Sequence, residues 1–168
     1  DLNVGGVAGS MAIEYDLDPE DDISSVGKKS INFQFETKAV LLDCQNYGSI
    51  TSKKNYVGGV VGRMDLGTAA ECGGYGYVSS TGGDYVGGIA GLSAATIRDS
   101  YSKCILSGES YIGGIAGDAN KVENCYSIID VEDGIGRIGA IAGNAEKLDN
   151  ISGNKFINRG IAGISGIS

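Results

Sequence analysis

One short segment occurs five times in this chain, and its recurrence limits the fold more than any other feature. The copies are Val4-Gly5-Gly6-Val7-Ala8-Gly9, Val57-Gly58-Gly59-Val60-Val61-Gly62 and Val86-Gly87-Gly88-Ile89-Ala90-Gly91. Ile112-Gly113-Gly114-Ile115-Ala116-Gly117 and Ile138-Gly139-Ala140-Ile141-Ala142-Gly143 complete the set, and a partial copy, Ile161-Ala162-Gly163, follows. Successive copies begin 53, 29, 26 and 26 residues apart, so the unit is about 26 residues long. The first gap is about twice that and holds either one insertion or one degraded coil. Self-similarity at a fixed period marks a repeat architecture, in which each unit buries its apolar face only against its neighbours.

Other positions repeat in step. Tyr56, Tyr85, Tyr111 and Arg137 precede the glycine segment. Leu41, Ala69, Ile97, Val122 and Leu148 form an apolar column, and Asp43, Glu71, Asp99, Asn124 and Asn150 a polar one. Beside it run Cys44, Cys72, Ser100, Cys125 and Ile151. β-Branched residues and tyrosine favour strands, and glycine interrupts helices. No window of about 12 residues carries a convincing 3.6-residue apolar period. A propeller blade needs about 40 residues. The expected fold is therefore all-β: a right-handed parallel β-solenoid of about five to six coils, forming one domain over residues 1–168. Coils should stack about 4.8 Å apart. The repeated glycines, Gly58, Gly59, Gly62, Gly87, Gly88, Gly91, Gly113, Gly114, Gly117, Gly139 and Gly143, read as structural. Val86 and Ile89 have opposite parity, so the glycine pair hides either a bulge or a covered outer face.

Composition narrows the function. Glycine reaches 29 residues against one proline, and its periodicity argues against a flexible linker. The net charge of −8 disfavours nucleic acid and anionic membranes, which need a basic face. No stretch approaches the roughly 20 apolar residues of a membrane span, so direct membrane insertion is not expected. The chain begins at Asp1 with no visible signal peptide, as expected where processing has removed a natural start. The lack of histidine removes the commonest general base and zinc ligand.

The register of these columns resembles a known family. Tyr85 to Gly91 followed by Ile97-Arg98-Asp99-Ser100-Tyr101 resembles the GLUG motif, as does Tyr111 to Gly117 followed by Val122-Glu123-Asn124-Cys125-Tyr126. The resemblance covers about residues 41–163 and the first segment at 4–9. GLUG repeats occur in bacterial surface and secreted proteins, including adhesin-like proteins and non-catalytic regions of immunoglobulin A metallopeptidases. The resemblance implies an extracellular β-solenoid at the bacterial cell surface, and no reaction.

Residues 10–40 break the pattern. They read as an insertion from the first coil, acting as a cap or covering one face, with a strand at 31–37 where Phe33 and Phe35 alternate with polar residues. Asp16, Asp18, Glu20 and Asp22 offer oxygens at alternate positions that calcium could use, but an EF-hand glycine and bidentate glutamate are missing. A solvated loop is the simpler reading. Stacked one coil apart, Asp43, Glu71 and Asp99 would repel, unless they face solvent, cap turns or share a cation. Asn124 and Asn150 favour turn capping, since amides cap equally well. No cofactor is expected. The glycine segments recur without a following helix, which argues against a phosphate loop. Cys44, Cys72, Cys104 and Cys125 read as free thiols filling apolar space. Tyr56, Tyr85 and Tyr111 suggest an aromatic ladder that either stabilises the stack or binds a partner.

The expected function is a non-catalytic structural or adhesive module, monomeric or part of a longer chain, presenting a rigid surface to a host or cell-surface protein or glycan. The alternatives are an accessory region of a larger secreted hydrolase, such as an immunoglobulin A metallopeptidase, and a β-helix carbohydrate-active enzyme.

Overall fold

The computed structural model describes residues 3–12 and 39–165. The chain winds into a parallel β-solenoid whose strands form three sheets. One inner coil shows the pattern: Val86–Gly87 in the first sheet, Ala90–Arg98 in the second and Tyr101–Ser107 in the third. The next coil repeats it with Ile112–Gly113, Ala116–Glu123 and Tyr126–Asp133. Every strand pair is parallel; the first sheet keeps strict register, as in Val57↔Val86↔Ile112↔Ile138, while one inner pair in each of the second and third sheets carries a shift, between Ser93 and Thr96 and between Leu106 and Ser107. The described residues contain no α-helix; a single 3₁₀ turn spans Leu148–Asn150.

The first sheet stacks five strands, so the chain completes about four full turns, fewer than the five to six expected. Val4 pairs directly with Val57, and Met11 with Met64. Val40–Leu42 then pairs with Thr68–Ala70. Residues 3–12 and 39–52 therefore build one coil between them, and the 53-residue gap holds an insertion rather than an additional coil. Residues 13–38, including the expected strand at 31–37 and Asp16, Asp18, Glu20 and Asp22, lie outside the described residues.

The glycine segment is a corner. The first sheet's strand lasts two residues, the chain bends, and the second sheet's strand begins. The bend lets Val86, Ile89 and Ala90 all point inward at 0% exposure, so neither a bulge nor a covered face is needed to reconcile their parity. The second glycine is forced by proximity. A Cβ on Gly88 would lie 2.0 Å from Ser102 Oγ across the core and 2.2 Å from the Gly114 carbonyl oxygen. Gly74, Ser102 and Ser127 line up opposite these glycines in the third sheet. Small residues on both sides thus pinch the cross-section. One apolar cluster, around Val60, Met64, Ile89, Ile97 and Ile115, lies on one side. The other, around Val57, Val86, Leu106 and Ile112, lies on the other side.

The last coil departs from the sequence columns. Val122 pairs with Ile151 rather than Leu148, and Glu123 with Ser152. Gly153, with φ +67°, then falls opposite Asn124, in place of Asn150. The 3₁₀ turn at Leu148–Asn150 takes up the three extra residues.

Candidate functional site

The conspicuous chemistry of the surface is aromatic, and it forms two columns. The first stands at the corner before each glycine segment. Tyr56, Tyr85 and Tyr111 have φ of 58°, 65° and 54°, a left-handed backbone that turns the chain and throws each ring over its neighbour in the next coil. The rings stack at 5.1 Å (Tyr56–Tyr85) and 4.7 Å (Tyr85–Tyr111). Guanidinium groups close both ends: Arg63 lies 5.3 Å from the Tyr56 centroid and Arg137 5.6 Å from that of Tyr111. Arg63 is itself held by Asp65 at 2.7 Å. Burial, then Tyr111 and Tyr56, raise the Tyr85 phenol above its ordinary value. Every ring face in this column is in contact with another ring or a cation.

The second column lies on the outer face of the third sheet. Alternation along Tyr101–Ser107 buries Ser102, Cys104 and Leu106 and turns Tyr101, Lys103 and Ile105 outward. Register places Tyr126 beside Tyr101 and Lys155 beside Tyr126, Tyr75 and Ile128 beside Lys103, and Tyr77 and Asp130 beside Ile105. Tyr47 stacks on Tyr75 at 4.6 Å, and Tyr75 meets Tyr101 at 5.6 Å in a tilted contact. Five tyrosines thus share one face, with Tyr47 at 73% and Tyr126 at 49% exposure. Ile105, Phe156 and Ile157 are exposed beside them. A depression of about 480 Å³ is walled by Tyr77, Ile105, Ile128, Lys103, Asp130 and Arg159. Arg159 pairs with Asp130, and Lys155 lies 5.6 Å from the Tyr126 centroid. Lys103 has no carboxylate partner among the described residues. The face sets tyrosines and isoleucines around a central Lys103 and is locally basic in an acidic chain.

The sequence-predicted acids do not gather into a site. Asp43, Glu71 and Asp99 are exposed, each at a left-handed corner with φ of 51° to 55°. Asp43 accepts a hydrogen bond from Gln45 Nε2 at 3.3 Å, and Asp99 pairs with Arg98 at 2.6 Å. Among the described residues no three metal-ligating side chains converge. A second groove, of about 580 Å³, runs over the second sheet past Ser93, Asp118, Asn120, Asn144 and Glu146. Its polar groups largely satisfy one another, since Asn144 donates to Asp118 at 2.9 Å and Asn120 to the Ala94 carbonyl at 3.0 Å. All four cysteines are free thiols; Cys72, Cys104 and Cys125 are buried and Cys44 is half-buried. Burial pushes the Cys125 thiol up to about 11.

Sequence reasoning singled out the corner tyrosines and passed over Tyr47, Tyr75, Tyr77, Tyr101 and Tyr126 as a binding set. The signal was present in part. Tyr101 and Tyr126 recur at the same place after the polar column, and Tyr75 and Tyr77 alternate with Gly74, Gly76 and Val78. No protein-family model matches the chain, and no curated protein or solved structure matches it either.

Proposed function

We propose that the chain is a non-catalytic binding module: a rigid stack of coils that docks a partner protein on the outer face of its third sheet. The resemblance to GLUG repeats supports a setting on a bacterial surface or in a secreted protein. The observation that carries the reading is the gathering of five tyrosines and several exposed aliphatic side chains on one face with lysines beside them. Protein interfaces favour tyrosine at the centre and a charged, solvated rim. A contiguous apolar patch on an otherwise polar surface marks an interaction site.

The same geometry favours protein over glycan. Sugars pack their C–H faces flat against aromatic rings. Tyr75 lies between Tyr47 and Tyr101, with the Tyr47 ring at an interplanar angle of 6°, and therefore presents mostly its edge and hydroxyl outward. Edges, hydroxyls and isoleucines suit a protein surface, and Lys103, which pairs with no carboxylate among the described residues, suits an acidic one.

The test sets purified secreted and cell-surface proteins against a glycan array, using the intact chain. A protein ligand is expected, with binding weakened about tenfold or more, roughly 1.4 kcal/mol, by Tyr101→Ala and by Lys103→Glu. Circular dichroism should remain unchanged. Binding confined to glycans, or indifferent to both substitutions, overturns the reading.

A further inference from the structure

We infer that Cys44 and Cys72 form a dithiol that closes to a disulfide between the first and second coils. The register brings them together. Leu42 pairs with Ala70 and Gln45 with Gly73, which leaves Cys44 opposite Cys72. Backbone hydrogen bonds bracket the pair: Asp43 N–H donates to the Ala70 carbonyl at 3.1 Å, and Gly73 N–H to the Cys44 carbonyl at 2.9 Å. In-register neighbours on parallel strands lie about 4.8 Å apart, inside the Cα span of about 4.4–6.8 Å that disulfides accept.

The thiols lean over the same stretch of the first coil. Cys44 Sγ lies 3.5 Å from the Leu42 carbonyl oxygen. Cys72 Sγ lies 3.5 Å from the Leu41 carbonyl oxygen, one residue away, and 3.3 Å from that of Ala70. Side chains stacked in register point the same way, so closure requires Cys44 to rotate off its carbonyl. Its half-buried position leaves room for that rotation.

No other pair is so placed. Ser100 separates Cys72 from Cys125, accepting the Cys72 N–H at 3.1 Å and donating to the Arg98 carbonyl at 2.8 Å. Cys104 belongs to the other apolar cluster, across the glycine pinch.

The order of events follows from access. Cys72 is 1% exposed, and burial raises its thiol above the ordinary value. Cys44 is the thiol that solvent reaches. Its thiolate attacks a dissolved disulfide such as oxidised glutathione, forming a mixed disulfide and releasing one glutathione thiolate. The Cys72 thiolate then attacks the Cys44 sulfur and expels the second. The protein loses two protons and two electrons, and oxidised glutathione becomes two thiols. The bond would fasten a weakly covered part of the first coil, where Val40 and Leu42 are each 57% exposed, to the buried Cys72 of the second.

The experiment incubates the full chain with oxidised or reduced glutathione, alkylates it under denaturing conditions and maps its peptides without reduction. The expected result is a fall from four free thiols to two, a linked Cys44–Cys72 peptide and a higher melting temperature for the oxidised form. The link should survive Cys104→Ser and Cys125→Ser and vanish in Cys44→Ser. Serine already occupies this column at Ser100, so the last substitution suits the fold. Glutathione that remains on Cys44, four thiols that persist, or a dimer joined through Cys44 would overturn the inference. The map of the unsubstituted chain decides even if a variant fails to fold.

Discussion

Glycine and tyrosine both occur at the first corner and on the third face, but the two regions use them differently. At the corner, glycine is imposed by backbone and serine atoms within bonding range of an added Cβ. The corner tyrosines sit on a left-handed backbone, with arginines on the two outer rings. On the third face Tyr75, Tyr77, Tyr101 and Tyr126 stand on strand positions, and Tyr47, just past the strand Gln45–Asn46, is mostly exposed. Tyrosine that closes on itself builds the solenoid, and tyrosine left with free edges forms the docking face proposed above.

The sharpest way to break this contrast is at the glycines. Gly88→Ala should cost about 3 kcal/mol or more, because Ser102 and the Gly114 backbone would both have to move. Gly76 on the third face has φ +106°, and its nearest contact to an added Cβ is 3.1 Å. Gly76→Ala should cost only about 1–2 kcal/mol of backbone strain. Urea denaturation of both variants measures the difference, and equal losses would erase it.

The tyrosines come next. Tyr85→Ala removes two stacked contacts and should cost about 2 kcal/mol, at roughly 0.5–1.5 kcal/mol per aromatic pair plus lost burial. Tyr75→Ala removes one stacked and one tilted contact from a more open site and should cost about 1 kcal/mol. The same denaturation series ranks them. A larger loss for Tyr75 would reassign the third face to stability.

The smallest effect is on pH. Burial raises the Tyr85 and Tyr75 phenols, and neighbouring phenols add to the shift. A raised phenol value means the folded chain holds the proton more tightly than the unfolded one. That stability is complete below the unfolded value of about 10 and is lost as pH climbs through the folded one. Alkaline unfolding should therefore set in above about pH 10. Tyr85→Phe, which keeps the ring, should shift the onset upward, as tyrosinate absorbance and circular dichroism would record.

Much of the architecture was legible in the residues because stacking forces equivalent positions into register. Val57, Val86, Ile112 and Ile138 pair as their spacing required. The last coil was misaligned because Leu148 and Asn150 match the apolar and polar columns by residue type, whereas hydrogen bonding selects Ile151 and Gly153. The inner residues of the pinch were hidden for another reason. Gly88 and Ser102 are brought together only across the core.

By itself, the repeat of Val/Ile-Gly-Gly-Val/Ile-Ala-Gly determined a parallel stack of short strands with a glycine bend in each coil. Residue type and period dictate that much, since a strand's pairing partner is its copy one turn away. Tertiary structure decided which tyrosines are consumed and which remain open. Outward direction depends on the corner where each strand begins, and ring contacts depend on register between coils. The column that sets Cys44 beside Cys72 was already legible in the sequence; the tertiary structure decided that Cys72 is buried and Cys44 only half-buried, because burial depends on how each coil is covered by its neighbours.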